Sequence, residues 1–97
     1  MTALALAIAA DHPSFEGHFP GTPVLPGVVL LDEAIRAIEL ADGGEPRCWR
    51  VGPVKFLRVV GPGEPLVLEQ ERLLSGTIRF TILSGARAVA TGALSPT

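Results

Sequence analysis

A chain of 97 residues with a formal net charge of −2 has room for one domain, and its charge argues against nucleic acid or an anionic membrane as the main partner. Its single cysteine excludes an intrachain disulfide and a cysteine-based metal cluster, and we expect Cys48 to be a small, buried, hydrophobic residue. Apolar residues make up 47% of the chain, so we expect a partner subunit to cover part of the surface.

The N-terminal segment alternates alanine with leucine or isoleucine and predicts a β-strand over 3–10, with Leu4, Leu6 and Ile8 on one face. A secretory leader has lysine or arginine before its apolar segment, and this segment has neither. No apolar run reaches the roughly 18 residues of a membrane span. We therefore expect a cytoplasmic protein without a membrane segment. A turn over 11–14 is predicted next, and a stiff loop over 15–25 follows it.

A helix is predicted from Pro26 to about Ala41, since Gly43 and Gly44 can form its C-cap and Pro46 stops its continuation. At about 100° per residue, a broad apolar face lies opposite a polar stripe. The polar stripe consists of Asp32, Arg36 and Glu39.

Beyond the helix, short glycine turns separate apolar runs and predict antiparallel hairpins. The predicted strands cover 47–60 with a bend at Gly52-Pro53, then 66–74, 77–83 and 86–94, and residues 95–97 are expected to fray. This order predicts an α+β fold in one domain over 1–97, with one helix on one face of an antiparallel sheet.

His18 lies in a loop with prolines at every third position (20, 23 and 26), which restrict the backbone around it. Neutral imidazole suits a general base near pH 7, although a lone loop histidine is more often structural. His12 is expected to be an ordinary turn residue.

Asp32 has two interpretations. With Arg36 it can form an ion pair that only solvates a helix face. Alternatively, its apolar neighbours predict a buried carboxylate that can donate or relay a proton. Glu33 lies about 100° round the helix, so only one of the two carboxylates can face a given site.

Two further features carry charge. The backbone N–H groups at 26–29 can stabilise an oxyanion at the start of the helix. Four cationic side chains also lie on or near one predicted strand, where they form either a solvated face or a docking patch for an acidic partner. These are Arg47, Arg50, Lys55 and Arg58.

The stretch GHFPGTPVLPGVVLLD, residues 17–32, resembles the signature of the hotdog-fold 3-hydroxyacyl-acyl-carrier-protein dehydratases, the FabA/FabZ family. Asp32 follows His18 by fourteen positions, which is the family's spacing and selects Asp32 over Glu33. Aspartate at this position makes the chain look like the short ApeI-like dehydratases. Residues 54–64 resemble a second family segment. The matching positions are Gly17, His18, Phe19, Pro20, Pro23, Pro26, Gly27, Val28 and Asp32.

The resemblance implies a hotdog fold, in which an antiparallel sheet wraps around one long central helix. It implies a homodimer or higher homo-oligomer, in which His18 of one subunit acts as base and Asp32 of the partner subunit acts as acid. It also implies that Gly27 and Val28 hold the thioester oxygen.

The resemblance further implies that Phe19 and Pro26 contact the substrate. That substrate is a 3-hydroxyacyl thioester on the phosphopantetheine of an acyl carrier protein or on coenzyme A. No metal or other cofactor is expected, and the pathway is fatty acid, polyketide or aryl-polyene synthesis.

Two alternatives share the hotdog fold. An acyl thioesterase needs a water activated by a differently placed carboxylate, and it leaves His18 without a role. A non-catalytic acyl-binding module needs neither His18 nor Asp32, so the presence of both argues against it. Glu33 stands where relatives usually have an apolar or aromatic residue, which leaves the acyl chain length open.

Overall fold

The computed structural model describes residues 2–6, 8 and 24–97 of the chain. In these residues one helix, α1 (Gly27–Ala41), packs against a six-stranded antiparallel sheet of order β1-β4-β5-β6-β2, with β3 also paired to β6. This arrangement confirms the predicted α+β fold. The strands are β1 (Thr2–Leu6), β2 (Trp49–Val51), β3 (Lys55–Phe56), β4 (Leu66–Arg72), β5 (Ile78–Ser84) and β6 (Arg87–Pro96).

The core lies between the inner face of α1 and one face of the sheet. Leu30, Ala34 and Ile38 recur every fourth residue and are the buried residues of the helix. Leu68 and Ile82 lie opposite each other on β4 and β5, and both are buried. The alternating patterns therefore place their apolar residues against the helix, as the sequence predicts.

The predicted strand over 47–60 is wrong as one continuous element. It is two short strands, β2 and β3, separated at Gly52–Val54. The Gly52 N–H still donates to the Ala93 carbonyl of β6 over 2.8 Å. Pro53 has no N–H to donate, so regular pairing stops there and resumes at β3.

The prediction of a frayed C-terminus is also wrong. Pro96 pairs with Trp49 of β2, so β6 extends to the last residue but one. The Thr97 N–H donates to the Cys48 carbonyl over 3.4 Å, and the Thr97 hydroxyl donates to the same oxygen over 3.2 Å. The Cys48 side chain is exposed rather than buried, because it precedes an edge strand.

A β-bulge at Val89 interrupts the pairing of β5 with β6. The Val89 carbonyl accepts the N–H groups of Leu57 (2.8 Å) and Arg58 (3.3 Å). The N–H of Leu25, just before the helix, donates to the Val60 carbonyl over 2.7 Å. The bulge therefore holds the segment after β3 beside the start of α1.

The C-terminal end of α1 is closed by backbone and side-chain hydrogen bonds. The Gly44 N–H donates to the Glu39 carbonyl over 2.8 Å, and Gly43 has a φ of +110°, as expected of a glycine C-cap. The Glu39 carboxylate accepts the Trp49 indole N–H over 3.1 Å and the Arg47 backbone N–H over 2.8 Å. These contacts attach the end of the helix to the start of β2.

Asp42 follows the helix and binds two arginines. Its carboxylate forms ion pairs with Arg47 and, over 3.0 Å, with Arg72 at the end of β4. The hydrogen bond from Arg72, followed by that from Arg47, holds the pKa of Asp42 below its ordinary value. The Arg47 guanidinium also lies 5.5 Å from the centre of the Trp49 ring. We call this group of contacting residues the C-terminal latch. It consists of Glu39, Asp42, Arg47, Trp49 and Arg72.

Candidate active site

The start of α1 leaves backbone donors unpaired. Pro26 is the N-cap, with extended backbone, and its carbonyl accepts the N–H groups of Val29 (3.0 Å) and Leu30 (3.1 Å). No side chain caps the helix, and within the described part of the chain the N–H groups of Gly27 and Val28 have no acceptor. Such groups, together with the helix dipole, favour an oxyanion.

An apolar cavity of about 230 Å³ opens beside these donors, and we call it the helix cavity. A Cβ added to Gly27 would lie 3.0 Å from carbons of the Phe56 ring, so glycine allows the ring to lie close to the helix. The lining includes Leu25, Pro26, Gly27, Leu30, Phe56 and Val60.

The rim of the helix cavity exposes large apolar side chains to solvent. Val28 is 73% exposed, Val59 is 74% exposed and Phe56 is 50% exposed. Leu57, in the same segment as Phe56 and Val59, is exposed as well. An apolar group of this size at the mouth of a cavity is typical of a surface that a substrate or a second chain covers.

Asp32 does not face the helix cavity of its own chain. It follows Gly27 by five residues, which is about 140° round the helix and about 7.5 Å along its axis. Its side chain is 56% exposed and forms an ion pair with Arg36 over 3.1 Å. The expectation of a buried carboxylate is therefore wrong for the single chain, in which Asp32 lies on the solvated face.

The other predicted site residues are only partly covered by the structure. His18 and Phe19 lie outside the described residues, as do the predicted turn and most of the loop, so their roles stay predictions. Pro26 and Gly27 line the helix cavity, whereas Val28 follows Gly27 in α1 and is not part of that lining. The roles given to all these residues in catalysis stay predictions.

The structure adds residues that the sequence reasoning did not assign to the site. Phe56 and Val60 line the helix cavity, although they follow Gly27 by about thirty positions. The only sequence signal was the second segment of the resemblance, over 54–64, which contains both. Their proximity to α1 follows from the Leu25–Val60 hydrogen bond.

The predicted cationic cluster is divided among three places. Arg47 belongs to the C-terminal latch. Arg50 and Lys55 lie on the two edge strands that pair with β6. Arg58 lines both the helix cavity and a second cavity, which also contains Arg87, a residue that the sequence reasoning did not select.

Among residues 2–6, 8 and 24–97, no three His, Cys, Asp or Glu side chains come together as a metal site requires. No helix in these ranges is long and apolar enough to cross a membrane. That the reaction needs no metal or other cofactor stays a prediction.

Comparison with known proteins gives a match over almost the whole chain. The model of the ApeI-like family, described as ApeI dehydratase, matches residues 1–93. The 3-hydroxyacyl-acyl-carrier-protein dehydratase FabZ of Syntrophotalea carbinolica is 34% identical over 86 residues, which are 80% of this chain and 58% of that protein. The chain spans about half the length of the curated relatives it matches.

Solved structures share the fold. The dehydratase heterocomplex ApeI:P from Xenorhabdus doucetiae matches with a TM-score of 0.68 at 24% identity, over 96% of this chain and 83% of that one. A mutant of the fluoroacetyl-CoA-specific thioesterase FlK matches with a TM-score of 0.68 at 15% identity, over 97% of this chain and 84% of that one. These likenesses confirm the predicted hotdog fold, but the fold occurs in both a dehydratase and a thioesterase and does not separate the two activities.

Proposed function

The chain belongs to the ApeI-like family of dehydratases, and we propose that it converts 3-hydroxyacyl thioesters of an acyl carrier protein into trans-2-enoyl thioesters. The observation that carries the proposal is the start of α1, where two backbone donors without an acceptor among the described residues adjoin an apolar cavity. The donors suit a thioester oxygen that gains negative charge, and the cavity suits an acyl chain. The pathway is fatty acid, polyketide or aryl-polyene synthesis in the cytoplasm.

In the proposed reaction, His18 removes a proton from C2 of the thioester. The thioester oxygen gains charge and accepts hydrogen bonds from the N–H groups of Gly27 and Val28. The C2–C3 double bond forms as the C3–O bond breaks, and Asp32 of the partner subunit gives a proton to the leaving hydroxyl. The products are water and the enoyl thioester. Phe19 and Pro26 border the substrate.

The orientation of Asp32 supports a site shared between two subunits. Within one chain this carboxylate lies about 140° round the helix from Gly27, is not among the residues that line the helix cavity, and forms an ion pair with Arg36. The exposed apolar side chains of Val28 and Val59 provide surface for a second copy to cover. We therefore propose a homodimer in which the two copies of α1 complete each other's sites.

The carrier protein supplies the substrate on its phosphopantetheine arm. Carrier proteins of this kind are acidic, and cations without a carboxylate partner in the described chain are available to receive one. These are Arg50, Lys55 and Arg58. Arg47 contributes less, because Asp42 already binds it.

The test is turnover of 3-hydroxyacyl and trans-2-enoyl thioesters of several chain lengths, followed by mass spectrometry. We expect interconversion by the wild type and losses of about 10²–10⁴-fold in rate for His18→Ala and for Asp32→Asn. Glu33→Gln is the matched control. The Glu33 carboxylate lies about 100° round the helix from Asp32, so this variant is expected to retain activity.

Complementation tests the shared site separately. If each site needs His18 and Asp32 from different subunits, refolding the two inactive variants together at equal amounts restores about a quarter of wild-type activity, since half of the dimers contain one intact site. Failure to restore activity would contradict the shared site.

Other products would point to the alternatives. Release of free thiol and free acid would identify a thioesterase, the activity in the name of the structural neighbour FlK. Binding of acyl thioesters without turnover would identify a non-catalytic acyl-binding module.

A further inference from the structure

The cationic side chains fall into two groups. Four arginines form ion pairs with carboxylates; these are Arg36, Arg47, Arg72 and Arg79. The other four cations have no carboxylate partner in the described ranges; these are Arg50, Lys55, Arg58 and Arg87. Among the unpaired cations, Arg58 and Arg87 line the same cavity.

This second cavity, which we call the arginine cavity, has a volume of about 400 Å³. Four polar or charged residues line it, Arg58, Glu64, Ser84 and Arg87, and Val59 and Val89 complete the wall. Two cations against one carboxylate leave it with an excess of positive charge. Two like charges in one cavity repel each other, so an anion that binds both is favoured.

The arginine cavity adjoins the helix cavity, since Arg58 and Val59 line both. Phe56 of the helix cavity pairs with Ala90 on β6. Because of the bulge at Val89, Ala90 and Arg87 lie opposite Ile82 and Ser84 of β5, which are two residues or about 7 Å apart along the strand. An extended ligand can therefore lie with an apolar end beside Gly27 and an anionic end between the two arginines.

We propose that Arg58 and Arg87, together with the Ser84 hydroxyl, bind the phosphate of the phosphopantetheine arm that carries the acyl thioester. The inference rests on the proposed function, because that function supplies a thioester with a phosphate at the far end of its linker. Guanidinium groups match phosphate oxygens with paired, charge-assisted hydrogen bonds, and the serine hydroxyl adds a further donor. A carboxylate of a docked carrier protein would also pair with the two arginines, but binding would then not depend on the phosphopantetheine arm.

The test compares two substrates with the same acyl group. One is the thioester of 4′-phosphopantetheine and the other is the thioester of N-acetylcysteamine, which has no phosphate. We expect Arg87→Gln to raise KM roughly 10-fold or more for the first substrate, with kcat unchanged, and to leave both constants unchanged for the second. Because no carrier protein is present, loss of protein docking cannot produce this result.

Three further variants sharpen the test. Arg87→Lys keeps the charge but not the guanidinium fork, so we expect partial recovery of KM. Glu64→Gln removes the one carboxylate of the arginine cavity and should lower KM for the phosphate-bearing substrate. Arg79→Gln, a matched arginine change outside both the helix and arginine cavities, should change neither KM.

Equal losses on both substrates after Arg87→Gln, or no loss on either, would overturn the phosphate site. If the wild type turns over no thioester, the proposed function fails, but the phosphate site is still decided by calorimetry with free 4′-phosphopantetheine and pantetheine. Preference for the phosphorylated form that disappears in Arg87→Gln supports the site, and equal binding of the two forms overturns it.

Discussion

The two ends of α1 use polar groups in opposite ways. At the C-terminal end, Glu39 and Asp42 accept hydrogen bonds from an indole, a backbone N–H and two guanidinium groups. At the N-terminal end, backbone N–H groups and nearby arginines lack partners within the described residues, and apolar side chains are exposed around a cavity.

The difference separates what stabilises the chain from what the chain presents to other molecules. Every polar contact made at the C-terminal end is internal and strengthens the attachment of α1 to the sheet. The donors and apolar surface of the N-terminal end give the isolated chain little stability, but they can bind a substrate and a second copy. Groups left without internal partners are often found where a protein binds.

The largest effect that separates the two faces of α1 is expected from Ile38→Ala. Ile38 is 1% exposed, so its loss leaves a cavity in the core and should lower the free energy of unfolding by about 2–5 kcal/mol. Leu40→Ala is the control, because Leu40 is 73% exposed and its change should stay within about 0.5 kcal/mol. Urea unfolding measures both, and equal losses would mean that the face bearing Leu40 is covered in solution.

A smaller effect, on activity rather than stability, is expected from Gly27→Ala at the opposite end. The new Cβ lies 3.0 Å from the Phe56 ring and displaces it from the wall of the helix cavity. Since Phe56 is half exposed, the ring can move outward, and we expect unfolding to change by less than about 1 kcal/mol. Displacement of a substrate-positioning wall should lower kcat/KM about tenfold.

The double variant Gly27→Ala, Phe56→Ala provides the check on that prediction. Removal of the ring relieves the clash, so the additional loss caused by Gly27→Ala should disappear in this background. A loss of the same size in both backgrounds would mean that Gly27 acts through its own backbone and not through Phe56.

The sequence predicts those parts of the fold that depend on neighbouring residues. The bounds of α1 follow from Pro26 and from the glycines after Ala41, and the structure agrees within one residue. Gly76 and Gly85 have φ values of +90° and +61° in the two hairpin turns that the sequence predicts. The predicted start at Pro26 becomes the N-cap, and the N–H groups of Gly27 and Val28 that follow have no acceptor within the described residues.

The rest could not be predicted because it depends on contacts between distant segments. Arg87 shares a cavity with Arg58 only because the bulge at Val89 holds the segment after β3 against β6. Asp32 has apolar neighbours in the sequence, yet its position around the axis of α1 leaves its side chain exposed in the single chain. The pairing that orders Pro96 likewise depends on β2, far earlier in the chain.

Within the C-terminal latch, Glu39→Ala should lower the free energy of unfolding by about 1–2 kcal/mol. The change leaves the half-buried Trp49 indole N–H and the Arg47 backbone N–H without their acceptor. Glu39→Gln keeps an acceptor oxygen and should cost less, because only the charge assistance is lost. The two variants are compared by thermal unfolding, and equal losses would show that charge rather than hydrogen bonding attaches the helix end.

The smallest effect at neutral pH, but one with a distinctive pH dependence, is expected from Asp42→Asn. The guanidinium groups of Arg72 and Arg47 hold the pKa of Asp42 in the folded chain below that of the unfolded chain, which is about 3.9. The ionised carboxylate therefore stabilises the fold fully above the unfolded value, and this contribution is lost as the pH falls through the folded pKa. Denaturant unfolding should show the wild type to be more stable than Asp42→Asn at pH 7, with the difference vanishing in acid.

The assignment of that difference to the two arginines rests on a double-mutant cycle. In the background Arg47→Gln, Arg72→Gln, the Asp42 carboxylate has lost both donors, so Asp42→Asn should change stability at pH 7 much less than it does in the wild type. A loss of unchanged size in this background would contradict the assignment to the two arginines. A change of the opposite sign, in which Asp42→Asn stabilises the chain, would reveal the field of the helix end, where a negative charge is unfavourable. The sign of the change thus separates the ion pairs of the latch from the helix dipole.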